Sequence, residues 1–164
     1  VTVVSDAGPL IHLSLVGRVD LLPLLYQRIL IPDLVHQEVV QKGAGLAGSA
    51  EIGNADWIEI AEHDPGAPLI QLLSIDLDLG EAAAIWLAVD RRSEWILSDD
   101  RKARLAAERL GLKVRGSLGV LVEAKRRTLV PTIAPLLHEL RAKGVWLSER
   151  LVEMVLREVD EAGP

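Results

Sequence analysis

The chain contains no cysteine. Disulfides, thiolate metal sites and a cysteine nucleophile are therefore excluded. Phenylalanine is also absent, and one tyrosine and four tryptophans are the only other aromatics. No apolar run approaches the ~20 residues needed to cross a bilayer, and no charged segment leads into a long apolar stretch at the start. A cytoplasmic protein with no signal peptide and no membrane partner is the expectation. His12, His36, His63 and His138 are scattered without H-E-x-x-H spacing, so each reads as a surface or satisfied histidine rather than a ligand. No G-x-S-x-G elbow is present. Gly43, Gly45 and Gly48 match G-x-G-x-x-G, but they follow a helical pattern instead of a strand and read as loop.

What is present points to one globular domain. A chain of 164 residues buries roughly 69% of its extended surface, enough for one core and too little for two. The net charge of −6 is unevenly spread. Between Arg91 and Arg127 there are 11 basic and 5 acidic residues, so the acidic excess lies elsewhere. A charged footprint depends on where charges cluster, although such a run is also what solvated helix faces look like.

Short β-branched runs alternate with helical periods. VTVVS (1–5), RILIP (28–32), ADWIEIAE (55–62), WILS (95–98) and LKVRG (112–116) read as strands. Pro9 to Leu25, broken near Gly17 or Pro23, reads as helical, as do Asp33 to Lys42, Gly80 to Arg91, Arg101 to Leu110 and Leu118 to Arg127. This alternation predicts an α/β fold, a three-layer α/β/α arrangement around a mostly parallel sheet. Beyond Pro131 only helical patterns remain, giving a C-terminal helical tail over 132–161 packed on the sheet or used for association. Gly43 to Gly53 is the candidate mobile loop.

In open parallel sheets, ligand chemistry gathers beyond the carboxyl ends of the strands. The first strand ends at Asp6 and the fourth at Asp99 and Asp100. Glu38 borders the apolar stripe of the helix after the second strand, and Glu81 opens GEAAAIWLAV, which is apolar nearly all round and so reads as buried. Structural explanations stand beside the functional one. Asp78 and Glu81 fit a D-x-x-E capping box, Asp6 and Asp100 fit turn or N-cap positions, and Glu38 fits a solvated helix face. Together, however, four carboxylates at one edge would repel by about 3 kcal/mol per pair at ~5 Å and an effective dielectric of ~20. Protonation or a divalent cation would relieve this, and an oxygen-only donor set suits Mg²⁺ or Mn²⁺ better than Zn²⁺.

The ordered series SDAGPLIHL, IPDLVHQEV, DLGEAAAIWLA and ILSDDRKARLAAERLGL, with the tail LHELRAKGVWLSERLVEMVL, resembles the PIN-domain ribonucleases. The likeness is to small prokaryotic PIN-like proteins related to toxins of the virulence-associated BC toxin–antitoxin type, and it covers nearly the whole chain as a single domain, 1–164. It implies a metal-dependent endoribonuclease, a hydrolase of RNA phosphodiesters, acting as the toxin of a toxin–antitoxin pair. Asp6, Glu38, Glu81 and Asp100 would be catalytic. Asp6, Glu81, Asp99 and Asp100 would hold Mg²⁺ or Mn²⁺, with the choice between Asp99 and Asp100 left open. Ser98 stands where relatives often carry threonine, whereas Ala7 replaces a hydroxyl residue common in relatives. The resemblance also implies a homodimer and a small antitoxin partner. Arg91, Arg92, Arg101, Lys102 and Arg104 lie close to these acids in sequence and are candidates to hold an RNA backbone. Most of the tryptophans sit in apolar runs that read as core, so base stacking is not expected to dominate recognition. The alternative is a catalytically inactive PIN-like binding or assembly module.

Overall fold

The computed structural model describes residues 2–163. Five strands, β1 (Val3–Ser5), β2 (Ile29–Pro32), β3 (Ile58–Ala61), β4 (Trp95–Leu97) and β5 (Lys113–Arg115), form a sheet in the order β3-β2-β1-β4-β5. Every neighbouring pair is parallel, and Val4 of β1 lies opposite both Leu30 and Ile96. The sheet is thus parallel throughout, within the three-layer arrangement the alternation predicts.

The helices are α1 (Ala7–Leu15), α2 (Leu21–Tyr26), α3 (Asp33–His36), α4 (Ser49–Gly53), α5 (Pro68–Leu73), α6 (Leu79–Asp90), α7 (Arg101–Arg109), α8 (Ser117–Arg126), α9 (Ala134–Ala142) and α10 (Glu149–Glu158). A π-helical segment, Gln37–Lys42, continues α3 directly.

Alternation along the strands builds the two helical layers. Val3, Ile29, Ile31 and Leu97 join one cluster with Leu10 and Leu13 of α1, Leu21 and Leu22 of α2, and Val120 and Leu121 of α8. Val4, Leu30 and Ile96 face the other way, onto Ile85 and Leu87 of α6 and Ala103 and Ala107 of α7. As its composition predicts, α6 is buried on nearly every side, from Gly80 through Ala88.

The helical tail belongs to the core. Leu137, Leu140, Val152 and Val155 join the first cluster. Glu161 fastens the end of the chain by accepting from the backbone N–H groups of Ile133 and Ala134 and from Lys125 Nζ. The long pattern from Pro9 breaks at Gly17, whose φ of +64° favours glycine, while Pro23 sits in the first turn of α2 where its missing N–H costs nothing. Only part of the Gly43–Gly53 segment is loop, since α4 begins at Ser49. The short helix α5, not anticipated from the sequence, opens with Pro68 at its first position, where a missing N–H costs nothing.

Parallel strands put all their carboxyl ends on one edge. There the Asp6 N–H donates to Leu97 O at 3.0 Å, so the residues following β1 and β4 are neighbours.

Candidate active site

At this edge lies a cavity of about 180 Å³ lined by five carboxylates, Asp6, Glu38, Asp78, Glu81 and Asp100, together with Ala7, Gly8 and Ile11. No lysine, arginine or histidine lines it.

Three of these acids are helix N-caps. Asp6 Oδ1 accepts from Gly8 N–H (3.1 Å) at the start of α1, and Asp100 Oδ1 from Ala103 N–H (2.9 Å) at the start of α7. Asp78 Oδ1 accepts from Glu81 N–H (2.8 Å), and Glu81 Oε2 accepts in return from Asp78 N–H (3.2 Å), completing a capping box on α6. The capping and site readings are therefore both true of the same side chains. A cap occupies one carboxylate oxygen and leaves the other for the cavity. Glu38 arrives differently, from the π-helical turn, a departure from α geometry that often accompanies functional positions. It reaches close to Gly80, where an added Cβ would stand 3.2 Å from Glu38 Oε2.

The electrostatics follow from burial without compensation. Asp6 is only 4% exposed, and its carboxyl is pushed up to about 8. Desolvation is the main cause and the nearby charges of Asp99 and Glu81 add to it, while Ser98 and the Gly8 N–H oppose it. The Ser98 hydroxyl is itself buried and makes no hydrogen bond of good geometry, so its help to Asp6 is weak. Glu81 is pushed up to about 7 by burial and by Asp78 and Asp100. Glu38 is also raised, by burial and by Asp78, with Lys42 opposing.

The other candidates separate. Asp99 turns away from the cavity. Its Oδ1 accepts from Ser117 N–H (2.7 Å), and its Oδ2 meets Ser117 Oγ (2.5 Å) and His12 Nδ1 (2.8 Å). Burial pushes the Asp99 carboxyl upward, but these bonds outweigh it and hold the group below its ordinary range. Asp99, Arg101 and Arg104 line a neighbouring groove of about 740 Å³ between β5, α8 and the C-terminal helices. Lys102 is exposed and lines neither space.

Arg91 and Arg92 follow the last residue of α6, whereas the cavity is at its first turn. Twelve helical residues span ~18 Å. Arg91 lines a separate cleft with Arg28 and Glu59 at the amino ends of the strands. Proximity in sequence to the acids therefore does not bring this pair to the cavity. A helix running back across a parallel sheet puts its N-terminus at the carboxyl edge and its C-terminus at the opposite one. Asp78 is the residue that sequence reasoning missed, because the capping box had already explained it; its i, i+3 spacing from Glu81 was the available signal.

Among the described residues, no three His, Asp or Glu side chains as they stand are placed to hold one ion. The donor set nonetheless fits a hard divalent cation. It offers only carboxylate oxygens, its acids lack any basic side chain as a neighbour in the cavity, and the buried Asp6 and Glu81 are driven to take up protons in the cation's place.

No curated protein and no solved structure matches the chain. A family model described as a PIN domain matches residues 2–161. A match over nearly every residue, on a parallel sheet edged by carboxylates, makes the chain a member of the PIN-domain family, with that family's nuclease-like fold.

Proposed function

We propose that the protein is a Mg²⁺- or Mn²⁺-dependent endoribonuclease. The observation that carries this reading is the lining of the cavity, five carboxylates with no basic side chain among them at the carboxyl edge of the sheet. Asp6, Glu81 and Asp100 would hold the ion, each fixed by backbone hydrogen bonds at a helix start. Glu38 and Asp78 would orient water on the remaining side. The bound cation supplies Lewis-acid stabilisation of phosphoryl oxygens and lowers the pKa of water. Asp99, tied to His12 and Ser117, would fix the turn that carries Asp100 instead of touching the ion.

Hydrolysis forms a phosphorus–oxygen bond to water and breaks the ester phosphorus–oxygen bond. One proton leaves the attacking water and one reaches the departing sugar oxygen. Glu38, which lines the cavity but is not among the residues that would hold the ion, is the carboxylate that would accept the water's proton and return it to the leaving oxygen. The family resemblance further supports a toxin-type protein, working as a homodimer and restrained by a small antitoxin.

A second reading has its own support. Asp6, Asp78, Glu81 and Asp100 are all used as caps, which a catalytically inactive binding module would also require. Cleavage of structured and single-stranded RNA with Mg²⁺, Mn²⁺ or EDTA decides between them, beside Asp6→Asn and Asp100→Asn. Asparagine caps helices as well as aspartate, so both variants should fold. Metal-dependent cutting that disappears in both is expected; cutting unchanged by either overturns the assignment.

A further inference from the structure

The groove beside the cavity has a volume of about 740 Å³, and the carboxylate site leaves it unused. The two spaces share a wall one residue thick. Asp100 faces the cavity, while its chain neighbours Asp99 and Arg101 face the groove. On the same wall, a Cβ added to Gly8 would stand 3.4 Å from Asp6 Oδ1 and 3.4 Å from Asp99 Oδ2. A polymer with one phosphate at the cavity would need to cross only this wall to enter the groove.

The groove's charges are selectively spent. Each of its acids has a partner: Asp99 has His12 and Ser117, Glu123 has Arg127 and Arg115, and Glu158 has Arg126. Arg101 and Arg104 have no carboxylate partner among the described residues, and both lie next to the shared wall; Arg104 spends one Nη on Ser98 O at 3.3 Å, which anchors it there with its other N–H groups left over. The surplus is two guanidinium groups, suited to phosphate oxygens.

At the far side, Trp146 is 85% exposed and Met154 57%, on a groove otherwise floored by aliphatic side chains such as Val114 and Val122. The sequence reading placed most tryptophans in the core; Trp146 is the clear exception. An indole open to water beyond two arginines without carboxylate partners is the composition of a single-strand platform, in which cations hold the backbone and an aromatic face takes a base. An apolar peptide would gain nothing from the arginines.

We infer that this groove binds the single-stranded RNA segment adjoining the cleaved phosphodiester, with its phosphates on Arg101 and Arg104 and an unpaired base on Trp146. The inference deepens the ribonuclease reading and rests on it for the identity of the strand. A duplex is excluded from this contact, because its bases are already stacked on one another.

Binding in EDTA separates this from catalysis. Anisotropy of a labelled, unstructured RNA oligonucleotide and of the matching duplex is measured on wild type and on Trp146→Ala, Arg101→Ala, Arg104→Ala and Asp6→Asn, with tryptophan fluorescence followed in parallel. The expected result is preference for the single strand, fluorescence quenching that Trp146→Ala removes, and about tenfold weaker binding in that variant. Each arginine variant should weaken binding and reduce the salt slope by about one. Asp6→Asn should bind at least as well as wild type. Undiminished binding by the Trp146 and arginine variants overturns the inference, as does equal affinity for the duplex. So does a Trp146→Ala variant that loses self-association in ultracentrifugation but binds RNA normally, which would make the groove an interface between copies. Single-strand binding in EDTA that depends on Trp146 and the arginines, with no metal-dependent cleavage by wild type, would instead defeat the ribonuclease assignment and leave the groove standing.

Discussion

Glu38 and Gly80 are matched in shape: the carboxylate of the first occupies the space beside the missing side chain of the second, 3.2 Å from where a Cβ would be. Glu38 thereby enters the cavity across the first turn of α6. Gly80→Ala should be neutral or stabilising, because alanine gains up to ~1 kcal/mol of helix propensity and the obstructed atom is the end of a flexible side chain. The same change should lower cleavage several-fold by displacing Glu38. Thermal melts beside turnover measurements would check this; loss of stability with full activity would count against it.

Asp6 should cost the metal-free protein stability. Its folded-state carboxyl stands at about 8 against an ordinary 3.8. From about pH 4 upward the unfolded chain ionises this group while the folded chain retains the proton, so stability falls as pH rises and levels off above about 8. Asp6→Asn removes that slope. In EDTA near pH 8 the variant should exceed wild type by at least ~1 kcal/mol, or about 2–4 °C in Tm. Adding Mn²⁺ should reverse the order. At a concentration of ~100 Kd wild type gains about 2.7 kcal/mol, and the variant much less.

Asp99 should act on turnover without touching the ion. In Asp99→Asn the amide nitrogen replaces one acceptor, so one of the bonds from His12 or Ser117 is lost. The expected cost is about 1–3 kcal/mol at neutral pH, with kcat reduced and Mn²⁺ affinity largely kept. Calorimetric Mn²⁺ titration is the deciding measurement, since abolished binding would make Asp99 a ligand.

The reading of the sequence reached the sheet because its signals were local and redundant. VTVVS and WILS are apolar, short and each followed by aspartate. It reached the edge acids because parallel topology alone carries strand-end residues together. It could not separate Asp99 from Asp100, since two successive residues leaving a strand point to different sides and the turn decides which. Asp100 became the cap of α7, and that left Asp99 to Ser117. Glu38 was legible as an acid near the stripe, but the π turn that delivers it has no marker in composition. Nor did the sequence reveal Trp146, whose neighbours Val145 and Leu147 are more buried than it is.

Glu161 offers a control away from the cavity. Its side chain is 9% exposed and joins Lys125 to the start of α9. These bonds hold its carboxyl below the ordinary 4.5 against the opposing effect of burial. The stabilisation is therefore present above about pH 4.5 and disappears as pH falls through the lower folded-state value. Glu161→Gln should lose about 1–3 kcal/mol at pH 7 with cleavage per folded molecule unchanged. The gap from wild type should narrow in acid, as denaturant titrations at both pH values would show.

Because Asp6, Asp78 and Asp100 are each fastened to the first turn of a different helix, the span between them cannot be adjusted by rotating a side chain without releasing a cap. It changes only when α1, α6 or α7 slides on the sheet as a rigid body. The aperture is thus set by how three rods are seated, and Glu38, on its wider turn, caps no helix and can turn without releasing one. A substitution far from the edge that shifts one rod by a fraction of an ångström would retune which ion fits, with every carboxylate still in place.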